Sequence, residues 1–283
     1  MADESRRGDG GATEAFVTSC ETLAARRLDA VLPQLAALVR DGDRVLDVGC
    51  GPGTITIDVA ELRPAPSRVV GVDHSEHLLS EARRRAAARG LVNIAFERAD
   101  ASRLPFADGS FDLAYSNALL DWLVDPVAAW REQARVTRRG GLVVTRMSDL
   151  STQSFDPPCP DAERVIAGLR RLAAERLADG FWNPFLAGEA TPLMAAAGLE
   201  VLEAHPWKAT FRSSRPDEHK NLVGGILLSS TAAPYSRPVA TLVRRGDLDA
   251  ATVARAHDQL IGLARDPCGT STRRGIVAIA RVP

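Results

Sequence analysis

Val45-Leu46-Asp47-Val48-Gly49-Cys50-Gly51-Pro52-Gly53-Thr54 is the stretch from which the fold can be read. Val45, Leu46 and Val48 form an apolar run suited to a central parallel strand, buried on both faces. Gly49, Gly51 and Gly53 remove three side chains from the turn that follows. Backbone N–H groups in such a turn can approach a ligand closely, and a helix opening behind it favours negative or polar groups there.

Four more strands are expected downstream. Arg68-Val69-Val70-Gly71-Val72 ends on Asp73, and Asn93-Ile94-Ala95-Phe96-Glu97 leads to Asp100. Phe111-Asp112-Leu113-Ala114-Tyr115-Ser116 ends at Asn117, and Leu142-Val143-Val144-Thr145-Arg146 follows the Gly140-Gly141 break. Helical patterns separate them, which predicts a doubly wound α/β fold around a mostly parallel sheet. A ligand then binds at the carboxyl ends of the strands. Asp47, the glycines, Asp73, Asp100 and Asn117 are expected at that edge, and an acidic residue at the distance of Asp73 suits the hydroxyls of a ribose.

The ordered series Asp-Val-Gly-Cys-Gly-Pro-Gly, Gly-Val-Asp-His-Ser, Ala-Asp-Ala and Leu-Pro-Phe-Ala-Asp-Gly-Ser-Phe-Asp-Leu resembles class I S-adenosylmethionine (SAM) dependent methyltransferases. Within that family it is most similar to the branch acting on small molecules, which includes quinone-biosynthesis and trans-aconitate methyltransferases. The resemblance runs from Val45 to Met147. It implies a seven-stranded Rossmann-like sheet with a helical substrate cap, SAM as cofactor and S-adenosylhomocysteine as product. A nicotinamide dehydrogenase is the competing reading of the turn, but its Gly-x-Gly-x-x-Gly fingerprint meets Thr54 at the third position. Asp73 suits either cofactor.

The resemblance also implies roles. Asp47 and the backbone of Gly49, Cys50, Gly51 and Gly53 would hold the methionyl end, or Asp47 would simply order the turn. Asp73 would take the ribose hydroxyls, with His74 beside the sugar or adenine, or merely packed. Asp100 would accept from the adenine amino group, with the Ala101 backbone fixing the ring, or would cap the next segment. Asn117 would present its carbonyl to the methionyl amino group. Trp122 would border cofactor and acceptor, or serve packing. Thr54 and Ser75 are expected to cap the helices that follow them, and Asp125-Pro126 to start a helix running through Arg138.

Composition narrows the function. The chain has 283 residues, 45% of them hydrophobic and 5% aromatic, with net charge −1. That balance disfavours a nucleic-acid binder dependent on many phosphate contacts. Lys208 and Lys220 are its only lysines, so Arg83-Arg84-Arg85 and Arg138-Arg139 read as solvated helix surface. Cys20, Cys50, Cys159 and Cys268 are scattered, which argues against a zinc site or disulfide framework, and no metal site is expected. The polar, glycine-rich opening is unlike a secretory signal, and no apolar run is long enough to span a bilayer. A cytoplasmic protein without nucleic-acid or membrane partners is the expectation.

The domain reading is a tail over 1–19, a SAM-binding core over 20–149, a cap insertion over 150–190, and the rest of the core over 191–283 with a helical insertion near 215–265. A helix is expected from Cys20 to Arg40, interrupted at Pro33. Ser151 to Pro160 reads as a crossing loop, followed by an amphipathic helix through Leu177 closed at Gly180. A further helix begins at Thr191-Pro192 and stops at Gly198. Closing strands are placed at Leu199–Phe211 and Gly275–Val282, with helices near Glu218–Ser229 and Leu248–Ala264 between them.

Transfer from SAM is an in-line displacement, so the protein mainly aligns the reactants and excludes water. A general base, where the acceptor needs one, is sought among Asp121, His205, His219 and Tyr235. Phe181, Trp182, Phe185 and Trp207 suit a mostly apolar acceptor pocket, or the packing of the cap. The leading expectation is methyl transfer to a small organic acceptor in specialised metabolism. The alternative is a methyltransferase-like cyclase or scaffold that binds SAM without transfer. RNA or protein methylation is a third reading, disfavoured by the charge and by Ser116-Asn117-Ala118-Leu119 where an Asn-Pro-Pro-Tyr-type motif would stand.

Overall fold

Alternating apolar runs and helical segments fold into a seven-stranded sheet flanked by helices. The computed structural model describes residues 32–62, 67–175, 183–212 and 233–283. The strands are β1 (Arg44–Val48), β2 (Arg68–Asp73), β3 (Ile94–Arg98), β4 (Phe111–Asn117), β5 (Thr137–Asp156), β6 (Glu200–Arg212) and β7 (Thr270–Arg281), in the order β3-β2-β1-β4-β5-β7-β6. β1 pairs in parallel with β2 and β4, and β2 with β3, whereas β6 and β7 are antiparallel. The helices are α1 (32–38), α2 (Thr54–Leu62), α3 (Glu76–Ala88), α4 (Pro126–Val136), α5 (Pro160–Ala174), α6 (Ala190–Ala196), α7 (Ala233–Arg244) and α8 (Ala250–Arg265).

The chain forms two compact units. The first is Met1–Ser116 with Arg131–Val143 and Val282. Its centre is β1, where Val45, Leu46, Asp47 and Val48 are all buried. Apolar residues suit such a strand because neighbours cover both of its faces. α2, α3 and β3 share a core of Cys50, Ile57, Leu79, Ala82, Ala86 and Phe96. Full burial of a leucine such as Leu79 contributes about 2 kcal/mol. Ser75 caps α3, its hydroxyl accepting the Leu78 N–H at 3.4 Å, as the sequence suggested.

The second unit is Asn117–Trp130 with Val144–Arg281 and Pro283. Here Leu150 and Phe155 of β5 pack with Ile166 and Leu169 of α5, Val239 and Leu242 of α7, and Leu260 and Leu263 of α8. The helices therefore have an apolar core of their own, seated on the extended end of β5. Asp249 caps α8 by accepting the Thr252 N–H at 2.6 Å and the Thr252 hydroxyl at 2.7 Å. Asp125 similarly accepts the Ala128 N–H ahead of α4 at 2.9 Å.

Several expectations are corrected. β5 is longer at both ends than Leu142–Arg146, so Ser151–Pro160 is not a loop: the strand continues to Asp156. Gln153 and Phe155 are buried between more accessible neighbours, an alternation masked by the serine, threonine and proline content. Gln153 donates to the Ser271 hydroxyl at 2.7 Å and the Thr272 carbonyl at 3.1 Å, and accepts from Arg273 at 2.8 Å. At the other end α4 stops at Val136, short of Arg138, because Gly140 and Gly141 exchange backbone hydrogen bonds with Val282.

Thr54 is the first residue of α2 instead of its cap, and its buried hydroxyl has no hydrogen-bond partner among the described residues. α7 was not anticipated, because Pro234 and Pro238 argue against a helix there. α5 ends at Ala174, before Leu177. The expected tail over 1–19, most of the first helix, the Gly180 stop and the helix near Glu218–Ser229 lie outside the described residues. β6, β7, α6 and α8 otherwise stand close to where the sequence placed them.

Candidate functional site

The carboxyl ends of β1 and β2 lie side by side, Asp47 opposite Gly71 and Val48 opposite Val72. This register lets the turn after β1 fold over the end of β2. The Gly49 and Cys50 N–H groups both donate to the Val72 carbonyl, at 2.8 and 3.0 Å, and Gly53 donates to Cys50 at 3.0 Å. Gly49, Gly51 and Gly53 have φ of 77°, 54° and 76°, the left-handed region that side chains disfavour.

Two of these glycines have distinct packing reasons. A Cβ on Gly53 would stand 2.8 Å from the Ala82 Cβ and 2.9 Å from the Phe96 ring, so the turn seats directly on α3 and β3. A Cβ on Gly51 would meet nothing within 4 Å among the described residues. Among the described residues that side of the turn is open.

Asp73 ties the turn to the next helix. One carboxylate oxygen accepts the Gly51 N–H at 2.9 Å and the other accepts the Ser75 N–H at 2.9 Å. The His74 Nδ1 lies 3.2 Å from the latter oxygen, and its side chain is 76% exposed. A carboxylate offers about four acceptor positions, and the two backbone N–H groups take two of them. The Asp73 carbonyl accepts the Ala99 N–H at 3.1 Å, which brings the end of β3 alongside. There Asp100 accepts the Ser102 N–H at 2.8 Å with its side chain and the Arg103 N–H at 2.9 Å with its carbonyl. Asp100 thus orders the turn that contains Ala101.

Asp47 is 3% exposed and faces inward. Its Oδ2 accepts the Thr56 hydroxyl at 2.6 Å and the Tyr115 hydroxyl at 2.7 Å. Burial raises its pKa from 3.8 to about 7, the two hydroxyls oppose that rise, and the nearby Asp73 adds to it. Burial also pushes the Cys50 thiol well above its ordinary value, leaving the residue's backbone as its contribution to the turn. Sequence reading missed Thr56 and Tyr115. The signal for Tyr115 was present: a tyrosine in a strand buried on both faces needs a partner for its hydroxyl.

Asn117, Asp121 and Trp122 belong to the second unit. Asn117 ends β4, and its side-chain oxygen lies 3.5 Å from an Arg146 nitrogen. Ala118 follows with φ of 51°, donating its N–H to the Arg146 carbonyl at 2.9 Å. A left-handed alanine costs about 1 kcal/mol, and nothing in its local sequence announces it. Asp121 and Trp122 lie in a 3-10 helix over Leu120–Trp122, with Asp121 buried and Trp122 half-buried.

Among the remaining candidates, Phe185 packs against the apolar core of the second unit. Trp207 donates its indole N–H to the Met147 carbonyl at 3.1 Å, and the Arg146 guanidinium lies 3.8 Å from its ring centroid. Gly275, opposite Trp207, leaves room for that ring: a Cβ there would stand 2.4 Å from it. His205 does not end its strand. It lies within β6 opposite Val277, its Nε2 2.6 Å from Glu203 on an exposed surface. Pro206 is accommodated because β6 is an edge strand. Phe181, Trp182 and His219 lie outside the described residues, and Tyr235 falls in the first turns of α7.

Among the described residues no three or more His, Cys, Asp or Glu side chains cluster as a metal site, and no helix is long and apolar enough to cross a membrane. What the first unit assembles among the described residues is a binding edge: a glycine turn open on one side, a carboxylate that ties it to the next helix and an ordered acidic turn. These features fit SAM, whose ribose diol and adenine amino group need such acceptors.

Residues 39–177 match the family model described as a methyltransferase domain. An uncharacterized methyltransferase of Schizosaccharomyces pombe is 37% identical over 158 residues, covering 54% of this chain and 56% of that protein. The demethylmenaquinone methyltransferase of Geobacillus stearothermophilus is 37% identical over 106 residues, covering 38% of this chain and 45% of its own length. The chain spans about half the length of the curated relatives it matches. Among solved structures, a geranyl diphosphate methyltransferase in complex with SAM superposes with a TM-score of 0.53 at 17% identity, covering 98% of this chain and 93% of its own. That likeness is one of fold.

Proposed function

Since the chain belongs to the class I SAM-dependent methyltransferases, we propose that it transfers the SAM methyl group to a small organic acceptor in specialised metabolism. The observation that carries this reading is the paired engagement of Asp73. It holds the Gly51 backbone on one oxygen and the start of α3 on the other. The similarity to a demethylmenaquinone methyltransferase supports a small acceptor. The near-neutral charge supports an acceptor other than nucleic acid.

In this reading SAM supplies an electrophilic methyl group on a sulfonium. The chain contributes position. The Gly49–Gly53 backbone receives the methionyl end, Asp73 accepts from the ribose hydroxyls, and the Asp100–Ala101 turn receives the adenine. Asn117 and Trp122 complete the cofactor contacts. Residues 150–190 and 215–265 act as the acceptor cap, which excludes water from the reacting atoms. The protein works in the cytoplasm.

Calorimetric titration with SAM and S-adenosylhomocysteine tests the cofactor half. Micromolar binding of both is expected, weakened about 100-fold by Asp73→Ala, because hydrogen bonds to a charged group are each worth about 1.5–3 kcal/mol. Absence of binding by the folded wild-type protein would refute it. S-adenosylhomocysteine formed in step with a methylated acceptor supports transfer, and unchanged SAM beside a rearranged substrate would establish a cyclase instead.

A further inference from the structure

Asp47 and Tyr115 are neighbours across the parallel pair of β1 and β4. Both are almost fully buried, as is Thr56 of α2. The Tyr115 and Thr56 hydroxyls converge on the same Asp47 oxygen, at 2.7 and 2.6 Å. Asp47 and Thr56 bracket the glycine turn, so their hydrogen bond closes it into a loop, and Tyr115 anchors that loop to β4. The assignment of Asp47 to direct cofactor contact does not use this arrangement.

We propose that Tyr115 is a positioning residue for the glycine turn, acting through Asp47, and that the charge on Asp47 sets the preference of the turn for a cationic over a neutral sulfur ligand. The inference rests on the cofactor reading above. SAM carries a sulfonium and S-adenosylhomocysteine a neutral thioether, so an ionised carboxylate beneath the turn favours the former. Product release is then favoured by the same charge that favours substrate.

The groups facing Asp47 determine when that charge exists. The Thr56 hydroxyl from α2 and the Tyr115 hydroxyl from β4 stabilise the carboxylate, whereas burial and Asp73 at the end of β2 oppose ionisation. In the turn itself Cys50 is held as a neutral thiol, with Arg83 of α3 acting weakly on it in the other sense. Burial and Asp47 keep the Tyr115 phenol neutral and donating. The balance puts Asp47 at about 7.

The test compares wild type, Asp47→Asn and Tyr115→Phe as full chains, titrated with SAM and with S-adenosylhomocysteine from about pH 5 to pH 9, a range that brackets both expected midpoints. Asp47→Asn has no charge to titrate and carries the ligands' own ionisation, so it is the baseline. Relative to it, wild type is expected to gain about tenfold in preference for SAM as pH rises. Tyr115→Phe removes one stabilising hydrogen bond and is expected to move that gain upward by about one pH unit. A merely structural tyrosine would weaken both ligands alike and leave the midpoint in place. Wild-type and Asp47→Asn profiles that coincide, or a Tyr115→Phe midpoint equal to that of wild type, would overturn the inference while leaving the cofactor reading intact. Failure of the wild type to bind either ligand would overturn both.

Discussion

Replacing Asp47 by Asn in the ligand-free protein should alter the pH dependence of stability in a direction that can be worked out in advance. In the unfolded chain this carboxyl titrates near 3.8, and in the fold at about 7. Between those values the folded state binds a proton that the unfolded state does not, so stability falls as pH rises and levels off above 7. The interval is about three pH units at about 1.4 kcal/mol each, which sets a ceiling of about 4 kcal/mol. An asparagine oxygen can still accept from Thr56 and Tyr115, and it has no charge to bury. Its amide nitrogen brings a buried donor that costs about 1–3 kcal/mol at every pH. The absolute stability of Asp47→Asn is thus lower in acid, and its loss of stability between about pH 4 and pH 7 should be smaller than that of wild type by up to about 4 kcal/mol. Urea unfolding followed by circular dichroism across that range measures the difference directly. Parallel pH profiles for the two proteins would show that Asp47 titrates in the fold as it does in the unfolded chain, and the argument from burial would be wrong.

Three further substitutions test the packing. Gly275→Ala places a Cβ 2.1 Å from the Met147 carbonyl and 2.4 Å from the Trp207 ring; we expect a loss of about 3 kcal/mol, read from the urea midpoint, and an unchanged midpoint would contradict the strand packing. Gly53→Ala combines a φ of 76° with contacts of 2.8 Å to Ala82 and 2.9 Å to Phe96. It should cost about 3 kcal/mol and weaken SAM at any pH, which the same calorimetry would show. Asp249→Ala removes two hydrogen bonds at the start of α8 and should cost about 1 kcal/mol; Asp249→Ser, which retains a cap, should recover most of it.

Much of the fold was legible because its signals are local. An apolar run such as Val45–Val48 declares a buried strand, and Gly49, Gly51 and Gly53 declare a turn whose backbone conformation side chains would resist. Ser75 and Asp125 act within a few residues of themselves, so their roles follow from cap chemistry, whereas Asp73 joins its local bond to Ser75 with one to Gly51 of the preceding turn. The length of β5 was not legible, because Gln153 looks like a loop residue until Ser271, Thr272 and Arg273 arrive to satisfy it. α7 was hidden for a related reason. Its prolines oppose a helix locally, while Val239 and Leu242 join an apolar core built with α5 and α8.

By itself the sequence determined the order of strands and helices through Asn117, the glycine turn and the acidic residues at the strand ends, since each depends on periodicity and on the conformational freedom of single residues. The tertiary structure alone decided what Asp47 does. Tyr115, 68 residues away, is its neighbour only because β4 pairs with β1, and that register buries the carboxylate between two hydroxyls. Burial and distant partners set the charge of a side chain, and neither is written in the residues beside it.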